Sequence, residues 1–175
     1  MKKPLFLFLL TGTLVMMGVI SKTGASLKTS LTPHGIINLE FAHNAAKTRA
    51  IINVWAGIKS ADNIRAAKLN TWLDFIFIFF YSLFLFYLCK ELAASTAGFL
   101  YVAGNVLANG SLVAGLLDIL ENTGILISLS GHITNNISLL TAISSIVKWA
   151  LVLTAVVYIL FGLAVILYKK YKPGI

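Results

Sequence analysis

Charge is what this chain has least of. Only 11% of its 175 residues are Asp, Glu, Lys or Arg, and only six of them are acidic. A soluble domain carries roughly 25% charged residues to coat its surface, so a soluble globular fold is excluded. One cysteine, Cys89, excludes an intrachain disulfide and dithiol chemistry within the chain, and leaves a packed or lipid-facing thiol. No cysteine follows the N-terminal apolar run to make a lipoprotein. There is no HExxH, no paired ExxH and no GxSxG, so the familiar zinc-protease, di-iron and serine-hydrolase signatures are missing. Lys and Arg outnumber the acids 14 to 6, yet they form no dense patch and the aromatics sit in apolar runs. Nucleic acid is therefore not expected as a partner, and attraction to anionic lipid is.

What is present is hydrophobicity in long runs. Apolar residues make up 58% of the chain and the mean hydropathy is +0.89. Runs of about 18 or more apolar residues read as membrane-spanning helices. The expected fold is all-α: an integral membrane four-helix bundle, with spans at about 5–20, 71–89, 97–129 and 139–167. The whole chain is one membrane domain. Lys2 and Lys3 before the first run are also compatible with a signal peptide, but Ser21–Ser26 offers no clean cleavage site, so a retained helix is expected. In the second span, Phe75-Ile76-Phe77-Ile78-Phe79 is apolar on every side, unlike a barrel strand that alternates with polar residues. The third region exceeds one crossing, and Asn105 with Asn109-Gly110 suggests a bend or a late entry.

Residues 21–69 form the main polar segment. Ile36, Ile37, Leu39 and Phe41, then Ile51, Ile52, Val54 and Trp55, have helical spacing up to Gly57. Ser60 or Asp62 is placed to cap a following helix that runs into the second span. The reading is an extracytoplasmic amphipathic helical hairpin over about 35–69, lying on the membrane between spans one and two. Lys2, Lys3, Lys90, Lys169, Lys170 and Lys172 fall on one side of a four-span chain, which places both termini in the cytoplasm by the positive-inside tendency. The 21–69 loop, with seven basic and two acidic residues, runs against that tendency.

A charge inside a span costs about 2.5–3.5 kcal/mol on insertion scales, so each one needs a partner or a purpose. Asp74, Asp118, Glu121 and Lys148 all map to the outer portions of their spans. Asp118, Glu121 and Asn122 share one helical face, with Gly115, Ala114, Ser111 and Gly104 behind them. Lys148 shares a face with Thr141, Ser144 and Ser145, and Asp74 aligns with Tyr81. Three carboxylates against one lysine leave an acid that needs a proton, a cation or a loop partner. His34, Glu40 and His43 are the loop groups at hand, Glu40 and His43 being read as one face of a helix.

The candidate ligand-binding set is Asp74, Tyr81, Asp118, Glu121, Asn122 and Lys148, with His34 and Glu40 contributed by a surface lid. Asp118, Glu121, His34, Glu40 and His43 are weaker metal ligands, since carboxylate and imidazole suit zinc, manganese or iron. His132 is expected to be solvated, and no cofactor is named by any motif. The inner halves of the spans carry no ionisable residue beyond the terminal lysines and Glu91, which argues against a transmembrane proton path.

Three function classes fit. The first is an outward-facing polar pocket for a lipid headgroup, small ligand or cation. The second is a membrane enzyme acting on a lipid or isoprenoid by carboxylate acid/base or metal-assisted chemistry. The third is a structural or accessory subunit whose charges only set helix register. The bilayer is the one certain partner, and the sequence is compatible with homo-oligomerisation.

Four groups of residues together resemble a family of small four-span bacterial inner-membrane proteins. They are Pro33-His34-Gly35-Ile36 with Leu39-Glu40-Phe41-Ala42, Leu73-Asp74-Phe75 with Tyr81, Ala114-Gly115-Leu116-Leu117-Asp118 with Glu121-Asn122, and Lys148-Trp149. The resemblance covers the chain from about residue 30 onward. It implies four spans and a bacterial inner membrane, and it brings no activity and no catalytic roles.

Overall fold

A computed structural model of the chain describes residues 3–57 and 62–171. Among them every regular element is helical: α1 Lys3–Thr23, a 3₁₀ turn Ala25–Leu27, α2 Ile36–Glu40, α3 Ala45–Gly57, α4 Asp62–Ala94, α5 Phe99–Leu129 and α6 Asn135–Tyr171. Four of these helices, α1, α4, α5 and α6, are long and apolar enough to cross a membrane. Expected anchors at Lys2 and Lys172, and the capping residue Ser60, lie outside the described residues.

α1, α4 and α6 run past the spans expected from hydropathy, and α5 stays within its own. At about 1.5 Å per residue, α4 and α5 exceed a 30 Å hydrocarbon core by several turns each. Residues 97–129 contain no break: the helix passes through Asn105 and Asn109-Gly110 uninterrupted. No helix break occurs at either position, and the Asn105 amide is satisfied within the fold. Asn105 donates to the Tyr101 carbonyl at 2.8 Å and accepts from Lys90 Nζ at 2.7 Å.

The helices do not contribute equally. α5 lies between α4 and α6 and is the most enclosed, with 44% of its apolar window buried, whereas α1 packs chiefly against α4 and buries 11%. Tyr81, Leu85, Cys89, Leu92, Ala108, Ala155, Tyr158 and Ile159 form an apolar core between α4, α5 and α6. The Cys89 thiol is thus packed, fully buried, rather than lipid-facing. Outward faces carry Leu, Val and Phe, as at Leu153, Val157, Leu160 and Phe161 of α6, which suits a lipid environment and no aqueous one.

Small residues set the approach of these helices. A Cβ on Gly104 would run into the Tyr158 hydroxyl, which donates to the Leu100 carbonyl at 3.0 Å, and would meet Ala93 Cβ at 2.8 Å. Gly104→Ala is therefore expected to lower stability by about 1–3 kcal/mol through overpacking, seen as a lower unfolding midpoint in detergent. Gly110→Ala is the matched control, since its nearest neighbour stands at 3.5 Å.

Residues 24–57 fold onto one end of the bundle. The expected first arm of a hairpin is broken: α2 is a single five-residue turn, and Phe41–Asn44 separate it from α3. Asn44 ends that break by accepting from the Lys47 amide at 2.9 Å, the N-cap arrangement. The second arm is continuous with the second span, as α4 from Asp62. Trp55 is wholly buried and donates to the Leu27 carbonyl at 3.0 Å, within a cluster of Leu27, Leu39, Ala67, Ile125 and Leu129. At its other end, α3 is tied to the first turn of α6. The Ala45 amide donates to Asn135 Oδ1 at 2.9 Å, and the Thr48 and Ser138 hydroxyls meet at 2.8 Å. Asn70 of α4 binds the Ile20 carbonyl and Thr23 hydroxyl, both at 2.8 Å, and so fixes the end of α1.

Candidate functional site

Beneath this end of the bundle the intramembrane charges meet. On α5, Asp118, Glu121 and Asn122 occupy one face, as their spacing requires, and all three are buried. Across from them on α6, Lys148 is 6% exposed. Its Nζ donates to Asp118 Oδ1 at 3.0 Å and lies 2.7 Å from Glu121 Oε2. The second contact falls outside hydrogen-bonding angles, so Glu121 is held there by charge attraction. Asp118 Oδ2 accepts from the Tyr81 hydroxyl of α4 at 2.8 Å, and Asp74 Oδ2 accepts from Asn122 Nδ2 at 2.8 Å. The stripes read on α4, α5 and α6 are therefore three walls of one site.

The surface segment closes the site with an acid. Glu40, the last residue of α2, is 8% exposed. Its Oε2 stands 3.8 Å from Lys148 Nζ and accepts from Trp149 Nε1 at 3.2 Å, while its carbonyl accepts from Ser145 Oγ at 3.3 Å. Three of the chain's six acids thus pair with one lysine, and a fourth, Asp74, joins the site through Asn122. A loop partner was one of three ways to relieve the excess of carboxylate, and the loop group that arrives, Glu40, increases it instead. The Lys148 ammonium also lies over the Trp149 ring, 5.5 Å from its centroid.

The two histidines stand apart. His34 and His43 are exposed, and His34 takes part through its backbone amide, which donates to Asn38 Oδ1 at 2.8 Å. Glu40 and His43 do not share a helix face, because α2 ends at Glu40. The metal set of Asp118, Glu121, His34, Glu40 and His43 is not assembled: among the described residues no three His, Cys, Asp or Glu side chains form a group suited to a metal ion. The reason is physical. Lys148 fills the space between the carboxylates, and the imidazoles point to the surface. His132 is exposed in the turn between α5 and α6, as expected.

Trp149 and Ser145 join the site through their contacts with Glu40. Ser145 was legible as part of a polar stripe, but nothing in the spacing pairs either residue with a loop acid more than 100 positions away. Open cavities of about 370 and 470 Å³ lie elsewhere, along the seam between α1 and α4, lined by residues such as Phe6, Leu88, Gly12 and Phe80. The charged cluster fills its own space. Toward the opposite end, Leu85, Cys89, Ala108 and Tyr158 close it off with apolar packing.

Comparison with protein-family models, with curated proteins and with solved structures yields no match for this chain.

Proposed function

We propose that this chain is a small integral membrane protein that binds and releases a proton at the cluster of Glu40, Asp74, Asp118, Glu121 and Lys148. One observation carries the reading: four carboxylates and one ammonium share a site that is 1–8% exposed at all but Asp74, the half-buried member. Unbalanced charge in such a setting costs several kcal/mol per ion, and a bound proton removes that cost. With Lys148 between the carboxylates, the packing favours a proton over a metal ion, a bulky headgroup or an isoprenoid substrate. The apolar core below the cluster favours binding without passage across the membrane. The location that goes with this reading is a bacterial inner membrane, with both termini cytoplasmic and the α2–α3 end outside.

A titration of thermal stability tests it. A ligand that binds only the folded chain stabilises it by RT ln(1 + [L]/Kd), about 2.7 kcal/mol at a hundredfold excess over Kd. Lowering the pH at constant ionic strength is expected to raise the unfolding midpoint in a saturating way. Asp74→Asn should weaken that rise, and sodium or lithium chloride replacing N-methylglucamine chloride should not reproduce it. If the midpoint does not follow pH, or follows the metal ion instead, the proton reading fails.

The packing itself favours a second reading, in which the ion pairs only hold helix register. On that reading the neutral variant Glu40→Gln, Asp118→Asn, Glu121→Gln, Lys148→Met would keep the fold and lose nothing measurable on titration.

A further inference from the structure

The surface above the buried acids is basic. Lys22 at the end of α1, Lys28 after the 3₁₀ turn, Lys47 and Arg49 on α3, and Arg65 and Lys68 at the start of α4 all belong to the same end of the bundle. Lys68 is half-buried and the other five are exposed. None of the six makes an ion pair among the described residues. The acids of this end do not neutralise them at the surface: Glu40 is buried beneath α2, and Asp62 alone is exposed.

We propose that this end face is a docking surface for the headgroups of anionic phospholipids, with α3 lying among them. Charge complementarity supplies the attraction, since basic residues close to an anionic leaflet each add to the binding. The apolar neighbours identify the anion as lipid rather than as a free phosphate. Leu31 is 73% exposed, Trp72 62% and Leu69 53%, and all three stand beside the basic residues of their own segments. A soluble anion has no use for them, whereas the boundary of a bilayer takes up aromatic and aliphatic side chains there.

The geometry fits that boundary. From Trp72 to Leu92, α4 covers about 30 Å, the thickness of a hydrocarbon core. Trp72 thus falls at the interface, with Lys68 and Arg65 one and two turns further out at headgroup level. α3 crosses the same end, tied to α6 through Asn135 and Ser138 and anchored by Trp55 against Leu27. Its buried face holds Thr48 and Trp55, which leaves Lys47 and Arg49 directed away from the bundle. This inference rests on the surface charges and their exposed apolar neighbours and is independent of proton binding by the buried cluster.

Native mass spectrometry of the full chain released from micelles containing phosphatidylglycerol and phosphatidylcholine in equal amounts tests it. The wild-type chain is expected to retain phosphatidylglycerol over phosphatidylcholine. Lys47→Gln, Arg49→Gln and Lys68→Gln together should cut that retention by about tenfold or more, with phosphatidylcholine unchanged. Lys90→Gln, at the opposite end, should leave it as in the wild type. A second triple variant, Lys22→Gln, Lys28→Gln and Arg65→Gln, repeats the test should the first fail to fold. Equal retention of the two lipids, or wild-type retention by a folded triple variant, would overturn the proposal. Displacement of phosphatidylglycerol by millimolar inorganic phosphate would overturn it too, in favour of a soluble anion.

Discussion

Lys148→Met is expected to be the most damaging substitution of a single charge in this protein, lowering stability by about 3–5 kcal/mol. The lysine is the shared counter-charge of Asp118 at 3.0 Å, Glu121 at 2.7 Å and Glu40 at 3.8 Å. Methionine fills a similar volume, so the loss comes from charge and not from a cavity. Three carboxylates would be left buried without an ammonium, and each would need a proton to stay there. The same logic predicts a rescue: Lys148→Met combined with Glu40→Gln, Asp118→Asn and Glu121→Gln should recover most of the stability, because exchanging a whole buried ion cluster for neutral groups is often near neutral. Chemical unfolding of the purified chain in mixed micelles, with all variants at one pH, measures both. Lys148→Met unfolding at the wild-type midpoint would show that the cluster contributes nothing to the fold.

Trp55→Ala should cost a comparable amount, about 3–5 kcal/mol, for an unrelated reason. The indole is fully buried where α3 meets the 3₁₀ turn, α4 and α5. Its removal opens a cavity among Leu27, Leu39, Ala67 and Ile125. It also takes a donor from the Leu27 carbonyl, which keeps its bond from the Thr32 hydroxyl at 2.8 Å. The damage should be local: proteolysis or hydrogen exchange is expected to rise across residues 24–57, with the core of α4, α5 and α6 protected. Trp55→Phe separates the two contributions, since it keeps most of the volume and loses the hydrogen bond. Uniform loss of protection over all helices would instead make α3 part of one cooperative unit with the bundle.

The two substitutions probe parts of the molecule that differed in how far they could be read beforehand. Four apolar helices followed from composition and run length, because hydrocarbon leaves the backbone no other way to satisfy its hydrogen bonds. The inward face of α5 followed as well. Asp118, Glu121 and Asn122 stand three and four residues apart, and Gly104, Ser111, Ala114 and Gly115 continue the same stripe, now buried against α4 and α6. Helical geometry alone puts such residues together. Likewise Lys148 with Thr141, Ser144 and Ser145 was visible as one face of α6, and all four are buried.

Glu40 shows where that reading stopped. It was legible as a candidate, but as a lid residue paired with His34 or His43 on a continuous surface helix. Instead the chain breaks after Glu40, α2 turns inward, and the carboxylate reaches Lys148 and Trp149 while both histidines face out. No periodicity encodes that turn. It depends on contacts made across more than 100 residues, with Ser145 and Trp149 holding both ends of Glu40.

By itself the sequence determined the membrane class, the helices and which charges each would direct inward, since local periodicity and the cost of charge in lipid act segment by segment. Only the tertiary structure decided that α1 sits to one side of a three-helix core, and that the surface segment brings Glu40 into the site while His34 and His43 stay outside it. Those choices depend on how separate segments pack against each other, which residue spacing within any one of them does not specify.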